Sequence, residues 1–291
     1  MTLMNNPSLM NSPPLPLILE PEALNQMPAS DSLLIIAVVQ AQVFATHHLP
    51  GSVLIEPAEL VCGIKPAVGK LPDRDHLSAV FSRVGLRDDV HVIAYDDEGG
   101  GWAGRLIWTL DILGHHNYSY LNGGLPAWLK LGLPLESGSA TLPGAEVLTA
   151  SASAPSTFVA EPDSSLLVDR QMVMAQLDDP NSIVWDARSE EEYNGSKITA
   201  QRNGHIPGAV NLDWLQLMDR DNDLRLQPLQ AIASKLESLG ITRDKKIITH
   251  CHTHHRSGLT YLVGKALGYD IKAYDGSWSE WGNHADTPIE K

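Results

Sequence analysis

The sequence predicts an α/β protein built from two similar domains, each a mostly parallel sheet flanked by helices. The first observation is an internal repeat, because HLPGSV at residues 48–53 returns as HIPGAV at 205–210. The second is that the same order of features surrounds both motifs, including apolar strand patterns at 92–95 and 247–250. The third is that strands alternate with helical stretches in each copy, which is typical of parallel α/β sheets.

Four segments follow from these patterns, in a chain of 291 residues that is long enough for two domains with their own cores. Residues 1–29 contain several prolines and are expected to form a disordered or loosely packed arm. The first repeat copy predicts a domain over 30–135, and the second predicts a domain over 165–291. Between them, residues 136–164 are rich in Ala, Ser, Pro and Gly and are expected to form a surface linker.

The composition limits the partners and the location. A formal net charge of −14 and a pI near 5.2 disfavour nucleic acid and anionic membranes, since most of the surface would repel a polyanion. The longest apolar run, residues 33–39, is too short to cross a bilayer. The N-terminal sequence lacks the pattern of a secretory signal, and two cysteines do not make a disulfide framework. A cytoplasmic location, with no nucleic-acid or membrane partner, is therefore expected.

The motif CHTHHR at residues 251–256 lies between a strand pattern at 245–249 and a helical pattern at 257–267. In open parallel sheets ligands bind at such a junction, and unpaired backbone amides there favour an anion or a thiolate. Amides, histidines and Arg256 would stabilise the thiolate of Cys251 and make it a nucleophile. The guanidinium of Arg256 suits an oxyanion of sulfur or phosphorus. The alternative is that Cys251 is an inert buried thiol and the histidines belong to a solvated loop.

These motifs resemble those of the tandem-domain rhodaneses, which include thiosulfate sulfurtransferases. The resemblance covers about residues 30 to 285 and rests on the two His-x-Pro-Gly motifs, Asp186-x-Arg188 and DGSWSEW at 275–281. In that family only the C-terminal copy keeps the cysteine, and here the matching position of the first copy is Asp96. A carboxylate cannot carry a sulfane sulfur, so the resemblance implies that the first rhodanese-like domain is an inactive scaffold.

The resemblance also implies that Cys251 is the catalytic nucleophile of a sulfurtransferase. Its thiolate would attack the outer sulfur of thiosulfate, release sulfite, and hold a persulfide until cyanide or a thiol acceptor, including the thiol of a partner protein, removes the sulfur. Substrate-binding roles are implied for the other loop residues, His252, Thr253, His254, His255 and Arg256. Supporting roles are implied for Asp186, Arg188 and Trp278. No cofactor and no metal are expected.

The two domains are expected to pack with Cys251 near the cleft between them and open to solvent. One position departs from the family pattern. Four residues after Arg188, many members carry a substrate-binding arginine, and this chain has Glu192. The carboxylate of 3-mercaptopyruvate would meet repulsion there, so thiosulfate is the expected donor and 3-mercaptopyruvate the alternative.

Other functions compete with sulfur transfer. A cysteine phosphatase would carry His-Cys-x5-Arg, which is one residue longer than the segment from His250 to Arg256, and the shorter loop leaves too little room for phosphate. A metal site would need ligands from elsewhere, because adjacent side chains of one short loop point apart. A catalytically silent sulfur carrier or a regulatory binding domain is also open. Cys62, the second cysteine, is expected to be a packed or semi-exposed thiol.

Overall fold

The computed structural model describes residues 14–138 and 156–291, and it confirms an α/β protein of two domains with parallel sheets. The elements of the first domain are β1 (Ile18–Leu19), α1 (Pro21–Asn25), β2 (Leu33–Val38), α2 (Ala41–Thr46), β3 (Val53–Ile55), α3 (Arg74–Arg83), β4 (His91–Tyr95), α4 (Gly101–Ile112), β5 (Tyr118–Leu121) and α5 (Gly124–Lys130). Those of the second are α6 (Arg170–Gln176), β6 (Ser182–Asp186), α7 (Glu190–Tyr193), β7 (Val210–Asn211), β8 (Met218–Asp219), β9 (Arg225–Leu226), α8 (Leu229–Ser238), β10 (Lys246–His250), α9 (Arg256–Ala266), β11 (Asp270–Ala273) and α10 (Ser277–Trp281).

The two main sheets have matching topology. The first has five strands in the order β1-β5-β4-β2-β3, and the second has four in the order β11-β10-β6-β7, with every pairing parallel. In the second domain Val168 makes a single parallel bridge to Tyr274, at the place where β1 lies beside β5 in the first. All residues of β4 are buried, because helices cover both faces of a parallel sheet.

The segment from residue 14 to 29 is not a loosely packed arm. Its strand β1 adds to the free edge of β5, and the side chains of Leu19 and Leu24 are buried in the core beside Trp128. Backbone pairing at that edge and burial of apolar side chains hold the segment, whereas its prolines had suggested disorder. Residues 1–13 lie outside the described part of the chain.

The expected linker is only partly described, because residues 139–155 lie outside the described ranges. The stretch that follows runs along the first domain. The amide of Ser156 donates to the carbonyl of Ser82 (3.1 Å), and the ring of Phe158 lies edge-on to that of Phe81. This part of the linker is therefore anchored to the first domain before the chain enters the second.

The two domains meet along α4 and α9. A Cβ atom at Gly104 would lie 2.3 Å from the carbonyl oxygen of Gly258, and one at Gly258 would lie 2.3 Å from the carbonyl oxygen of Gly101. No side chain fits between backbones at these distances, so the glycines allow the two helices to touch directly. Because α9 begins at the end of the loop that follows Cys251, this contact places the loop against the first domain.

A buried polar cluster reinforces the same interface. Asp111 at the end of α4 is 3 % exposed and accepts hydrogen bonds from Tyr118 (2.6 Å), Tyr261 (2.7 Å) and Lys265 (2.5 Å). Tyr261 and Lys265 belong to α9, so the carboxylate joins the two domains. Several donors on one carboxylate compensate for the loss of its hydration.

Over the part of the chain that the structure describes, no helix combines the length and the apolar composition that crossing a membrane would require.

We expect Gly104→Ala to destabilise the protein, because the new methyl group would collide with the backbone of Gly258. Overpacking of this kind costs about 1–3 kcal/mol, and alanine regains about 1 kcal/mol over glycine in a helix. The free energy of unfolding in urea measures the net loss. Gly264→Ala in α9 is the matched control, since its Cβ would meet the end of the Ile271 side chain and not a backbone. Equal stability of the two variants would contradict the glycine contact as a packing constraint.

Candidate active site

The loop between β10 and α9 is fixed by the start of α10. The amide of Trp278 donates to the carbonyl of Cys251 (3.0 Å), and the hydroxyl oxygen of Ser277 accepts from the amide of His254 (3.1 Å). His254 has a φ of +53°, in the left-handed region that few non-glycine residues adopt. The loop therefore keeps a strained turn because groups outside it hold its backbone.

Cys251 is buried under its own loop, with 1 % of the residue exposed. This contradicts the expectation that the cysteine is open to solvent. The loop does lie against the first domain, because a Cβ atom at Gly69 would come within 2.2 Å of the carbonyl oxygen of Thr253. The partly exposed residues around the thiol are His252, Thr253, His255 and Arg256.

Opposing effects set the pKa of the Cys251 thiol. Burial raises the pKa, because a thiolate in the interior loses its hydration. The charge of Arg256, the hydroxyl and amide of Ser257 and the side chain of His255 lower it, and the net pKa lies below the ordinary value of a cysteine. The site thus makes the nucleophilic thiolate easier to form than it is in an ordinary cysteine.

Arg256 forms a bidentate ion pair with Glu192. Its Nη1 lies 2.6 Å from Oε2 and its Nη2 lies 3.0 Å from Oε1. Burial raises the pKa of Glu192, but Arg256 lowers it more, so that the net pKa lies below the ordinary value. The expectation of a free, repulsive carboxylate at Glu192 is therefore wrong. The side chain of Glu192 is paired with Arg256 and neutralises part of the charge of that arginine.

His254 differs from the other expected anion-binding residues. It is fully buried, its ring lies edge-on to Trp108 at 4.6 Å, and its Nδ1 lies 2.7 Å from the hydroxyl of Ser257. Burial and the nearby Arg105 hold the pKa of His254 well below its ordinary value. The ring is neutral at neutral pH, so His254 supplies no positive charge for a departing anion.

His255 points into the interface between the domains. Its Nε2 hydrogen-bonds to the carboxylate of Glu98, and its ring stacks on Trp102 at 4.4 Å. The ring of Trp214 lies edge-on at 5.5 Å. A loop residue of the second domain is therefore held by two side chains of the first.

Asp186, Arg188 and Trp278 form a buried support next to the loop. Nε of Arg188 lies 2.9 Å from Oδ1 of Asp186, and Nη2 lies 2.6 Å from Oδ2. The guanidinium also lies over the ring of Trp278, 4.2 Å from its centroid. Nε2 of His250 lies 3.5 Å from Asp186. These residues join β6, β10 and α10, and the supporting role expected for them stays a prediction.

The equivalent turn of the first domain is filled by its own carboxylate. Asp96 accepts hydrogen bonds from five backbone amides, those of Glu98, Gly99, Gly100, Trp102 and Ala103. Burial and the neighbouring Glu98 raise the pKa of Asp96 to about 6, against the lowering effect of the amides. In the first domain, an amide-lined turn is therefore occupied by its own carboxylate, whereas at the equivalent turn of the second domain the amide of Ser257 contacts Cys251.

Three residues around the loop were not identified from the sequence. Ser277 lies within the DGSWSEW motif, and that motif was a usable signal. Glu98 and Trp102 belong to the first domain, and no local pattern connects them with Cys251. Cys62 is half-buried in a loop, with Sγ 3.4 Å from the carbonyl oxygen of Ala67, as expected for a packed thiol.

No group of three or more His, Cys, Asp or Glu side chains in the described ranges 14–138 and 156–291 converges as a metal site would require. The histidines of the loop point in different directions instead. Nε2 of His255 faces Glu98, and Nδ1 of His254 faces Ser257.

Comparison with known proteins gives close relatives. The thiosulfate sulfurtransferase of Pseudomonas aeruginosa is 45% identical over 277 residues, which cover 95% of this chain and 97% of the relative. The thiosulfate sulfurtransferase of Azotobacter vinelandii is 46% identical over the same shares of the two chains. Among solved structures, the anaerobic ergothioneine biosynthesis enzyme of Chlorobium limicola superposes with a TM-score of 0.80 at 18% identity, over 94% of this chain and 70% of that one.

The structural likeness at 18% identity shows the shared fold alone. The family follows from the sequence comparisons. The family model for the rhodanese-like domain matches this chain twice, at residues 20–131 and 169–284. These ranges contain the two parallel sheets and the loop that begins with Cys251. The chain therefore belongs to the rhodanese family, as a tandem of two rhodanese-like domains.

Proposed function

We propose that this protein is a thiosulfate sulfurtransferase whose second domain is catalytic. The observation that carries the proposal is the Cys251 thiol, which lies at the amide-lined end of β10 and whose pKa is lowered by Arg256 and Ser257 against the effect of burial. Relatives with 45% and 46% identity over nearly the whole chain bear that name. The cytoplasmic location expected from the composition stays a prediction.

The first half of the reaction transfers sulfur to the enzyme. The Cys251 thiolate attacks the outer sulfur of thiosulfate, the S–S bond of thiosulfate breaks, and its electron pair leaves with sulfite. The negative charge of the resulting persulfide is stabilised by the amide and the hydroxyl of Ser257 at the start of α9. Arg256 and His252, which are partly exposed, are the side chains proposed to hold the departing sulfite.

The second half regenerates the thiolate. Cyanide or a thiol attacks the outer sulfur of the persulfide, and the electron pair of the broken S–S bond returns to Sγ. Because Cys251 is 1 % exposed, a small or slender acceptor suits the site, and a protein acceptor would have to present its thiol on an extended segment.

The ion pair between Arg256 and Glu192 supports thiosulfate as the donor over 3-mercaptopyruvate. Both oxygens of Glu192 are engaged, so the arginine offers less of its charge to a second anionic group such as a carboxylate. In the proposed reaction with thiosulfate, Arg256 contacts a single anionic group, the leaving sulfite. The identity of the physiological donor is part of the proposal.

Replacement of the nucleophile tests the mechanism. We expect Cys251→Ser to abolish sulfur transfer from thiosulfate to cyanide, because a serine hydroxyl cannot form a persulfide. Cys62→Ser, the control, should keep most of the activity. Mass spectrometry should find an adduct of about 32 Da, one sulfur atom, on the thiosulfate-treated wild type, and cyanide should remove it. Substantial sulfur transfer by the Cys251→Ser variant would refute this mechanism.

The charge of Arg256 should be visible in the pH dependence of persulfide formation. The arginine lowers the pKa of Cys251, so its loss should raise that pKa and shift the rise of the rate with pH towards higher pH. We expect this shift in the double variant Arg256→Gln/Glu192→Gln, which leaves no unpaired buried carboxylate. Stopped-flow measurement of sulfite release over a pH series gives the profile. An unchanged profile would show that Arg256 does not stabilise the thiolate.

The preference between sulfur donors tests the proposed role of Glu192 in specificity. Wild-type protein should use thiosulfate better than 3-mercaptopyruvate and should not hydrolyse an aryl phosphate. Glu192→Gln should free the charge of Arg256 and shift the ratio of the two kcat/KM values towards 3-mercaptopyruvate by roughly tenfold, which corresponds to about 1.4 kcal/mol. Lys197→Gln is the control, since Lys197 is an exposed cation that lies 3.9 Å from Glu192. A ratio unaffected by Glu192→Gln would refute this specificity role, and rapid phosphate hydrolysis would favour the phosphatase alternative.

A further inference from the structure

His255 occupies a slot that both domains build. The ring stacks on the indole of Trp102 at an interplanar angle of 21°, and the indole of Trp214 meets it edge-on at 62°. A Cβ atom at Gly101 would lie 2.6 Å from Nε2 of His255, so the slot exists because this position has no side chain. Inside it, Nε2 meets the carboxylate of Glu98. The orientation of the ring is therefore fixed by aromatic walls and one hydrogen bond.

The contact with Glu98 also fixes the tautomer. A carboxylate only accepts hydrogen bonds, so Nε2 carries a proton, and in the neutral ring the lone pair is therefore on Nδ1. Nδ1 forms no hydrogen bond within residues 14–138 and 156–291, and 21 % of the side chain is exposed. A histidine oriented by a carboxylate, with its second nitrogen open, is the arrangement of a general base.

The other histidines of the segment do not share this arrangement. His250 and His254 are fully buried, and Nδ1 of each is occupied, by the carbonyl of Cys251 and the hydroxyl of Ser257 respectively. The ring of His252 has a buried Nδ1 without a partner in the described residues. His255 is thus the histidine of this segment that is both oriented by a carboxylate hydrogen bond and accessible.

We propose that His255 is the base that activates thiol acceptors and that Glu98 of the first domain is its positioning residue. This inference rests on the proposed function. The acceptor thiol gives its proton to Nδ1 of His255, and its sulfur bonds to the outer sulfur of the Cys251 persulfide. The bond between that sulfur and Sγ breaks, the electron pair stays on Sγ as the thiolate, and Nδ1 returns the proton to the new acceptor persulfide.

The two halves of the reaction differ in their need for this base. In the first half the nucleophile is Cys251, whose pKa is lowered by Arg256 and Ser257, so the formation of the persulfide does not require His255 as a base. A thiol is a poor nucleophile until it loses its proton. Loss of Glu98 should therefore slow the second half for acceptors that arrive protonated and spare those that arrive as thiolates.

Two acceptors of similar shape separate these cases. Ethanethiol is mostly protonated in mildly alkaline buffer, whereas 2,2,2-trifluoroethanethiol is mostly a thiolate. Full-length protein is loaded with persulfide by thiosulfate, and in parallel by polysulfide, and loss of the persulfide in one turnover is followed by rapid quench and mass spectrometry. We expect Glu98→Leu and His255→Gln to slow the reaction with ethanethiol by about tenfold or more and that with trifluoroethanethiol by about twofold or less. Glu98→Gln, which keeps an acceptor oxygen, should recover part of the rate.

Glu136→Gln is the matched control, because Glu136, like Glu98, is a carboxylate of the first domain that faces a histidine, but its partner is His48 of the same domain. It should leave both acceptors unaffected. Equal slowing of the two acceptors by Glu98→Leu would show a merely structural role, and no slowing would show no role; either result overturns the inference. Failure of wild-type protein to gain sulfur from thiosulfate would instead refute the proposed function, and the polysulfide-loaded samples would still decide the role of Glu98.

Discussion

The direct contact of α4 with α9 is the constraint on which the rest of the site depends. Gly104 and Gly258 bring two helix backbones closer than any side chain would allow. Each helix starts at the amide-lined turn of its own domain, so the contact sets the two turns side by side. Because α9 packs directly on α4, Glu98 and Trp102 reach the loop that begins with Cys251, and the buried cluster around Asp111 joins the same two helices further along.

The turns of the two domains stabilise different anions by the same electrostatic interaction. Amides that converge at a helix start are partial positive charges without partners, and a buried site leaves them no water. In the first domain the carboxylate of Asp96 satisfies them permanently. In the second, Cys251 can satisfy them as a thiolate and, in the proposed cycle, as a persulfide. Because this turn is occupied, the first domain offers no vacant place for a sulfur atom. Its side chains still contact the loop of the second domain.

The local charges do not follow the formal charge of the chain, which is −14. Burial makes the pairing of each cation specific, because a charge in the interior interacts strongly with its neighbours. Arg256 is shared between Glu192 and the Cys251 thiolate, and Arg188 is committed to Asp186. His254, a candidate cation by composition, is neutral because it is buried beside Arg105. Residue type alone therefore overestimates the positive charge of the loop.

The sequence by itself determined the two-domain α/β architecture, the repeat and the position of Cys251 between a strand and a helix, because these depend on local periodicity and on motifs that lie close together in the chain. It did not reveal that β1 joins the first sheet, since a strand of two residues has almost no pattern. The burial of Cys251, the pairing of Arg256 with Glu192 and the contact of Glu98 with His255 were decided by the tertiary structure alone. Each joins residues far apart in sequence, and only the packing of the domains sets their distances and removes the water between them.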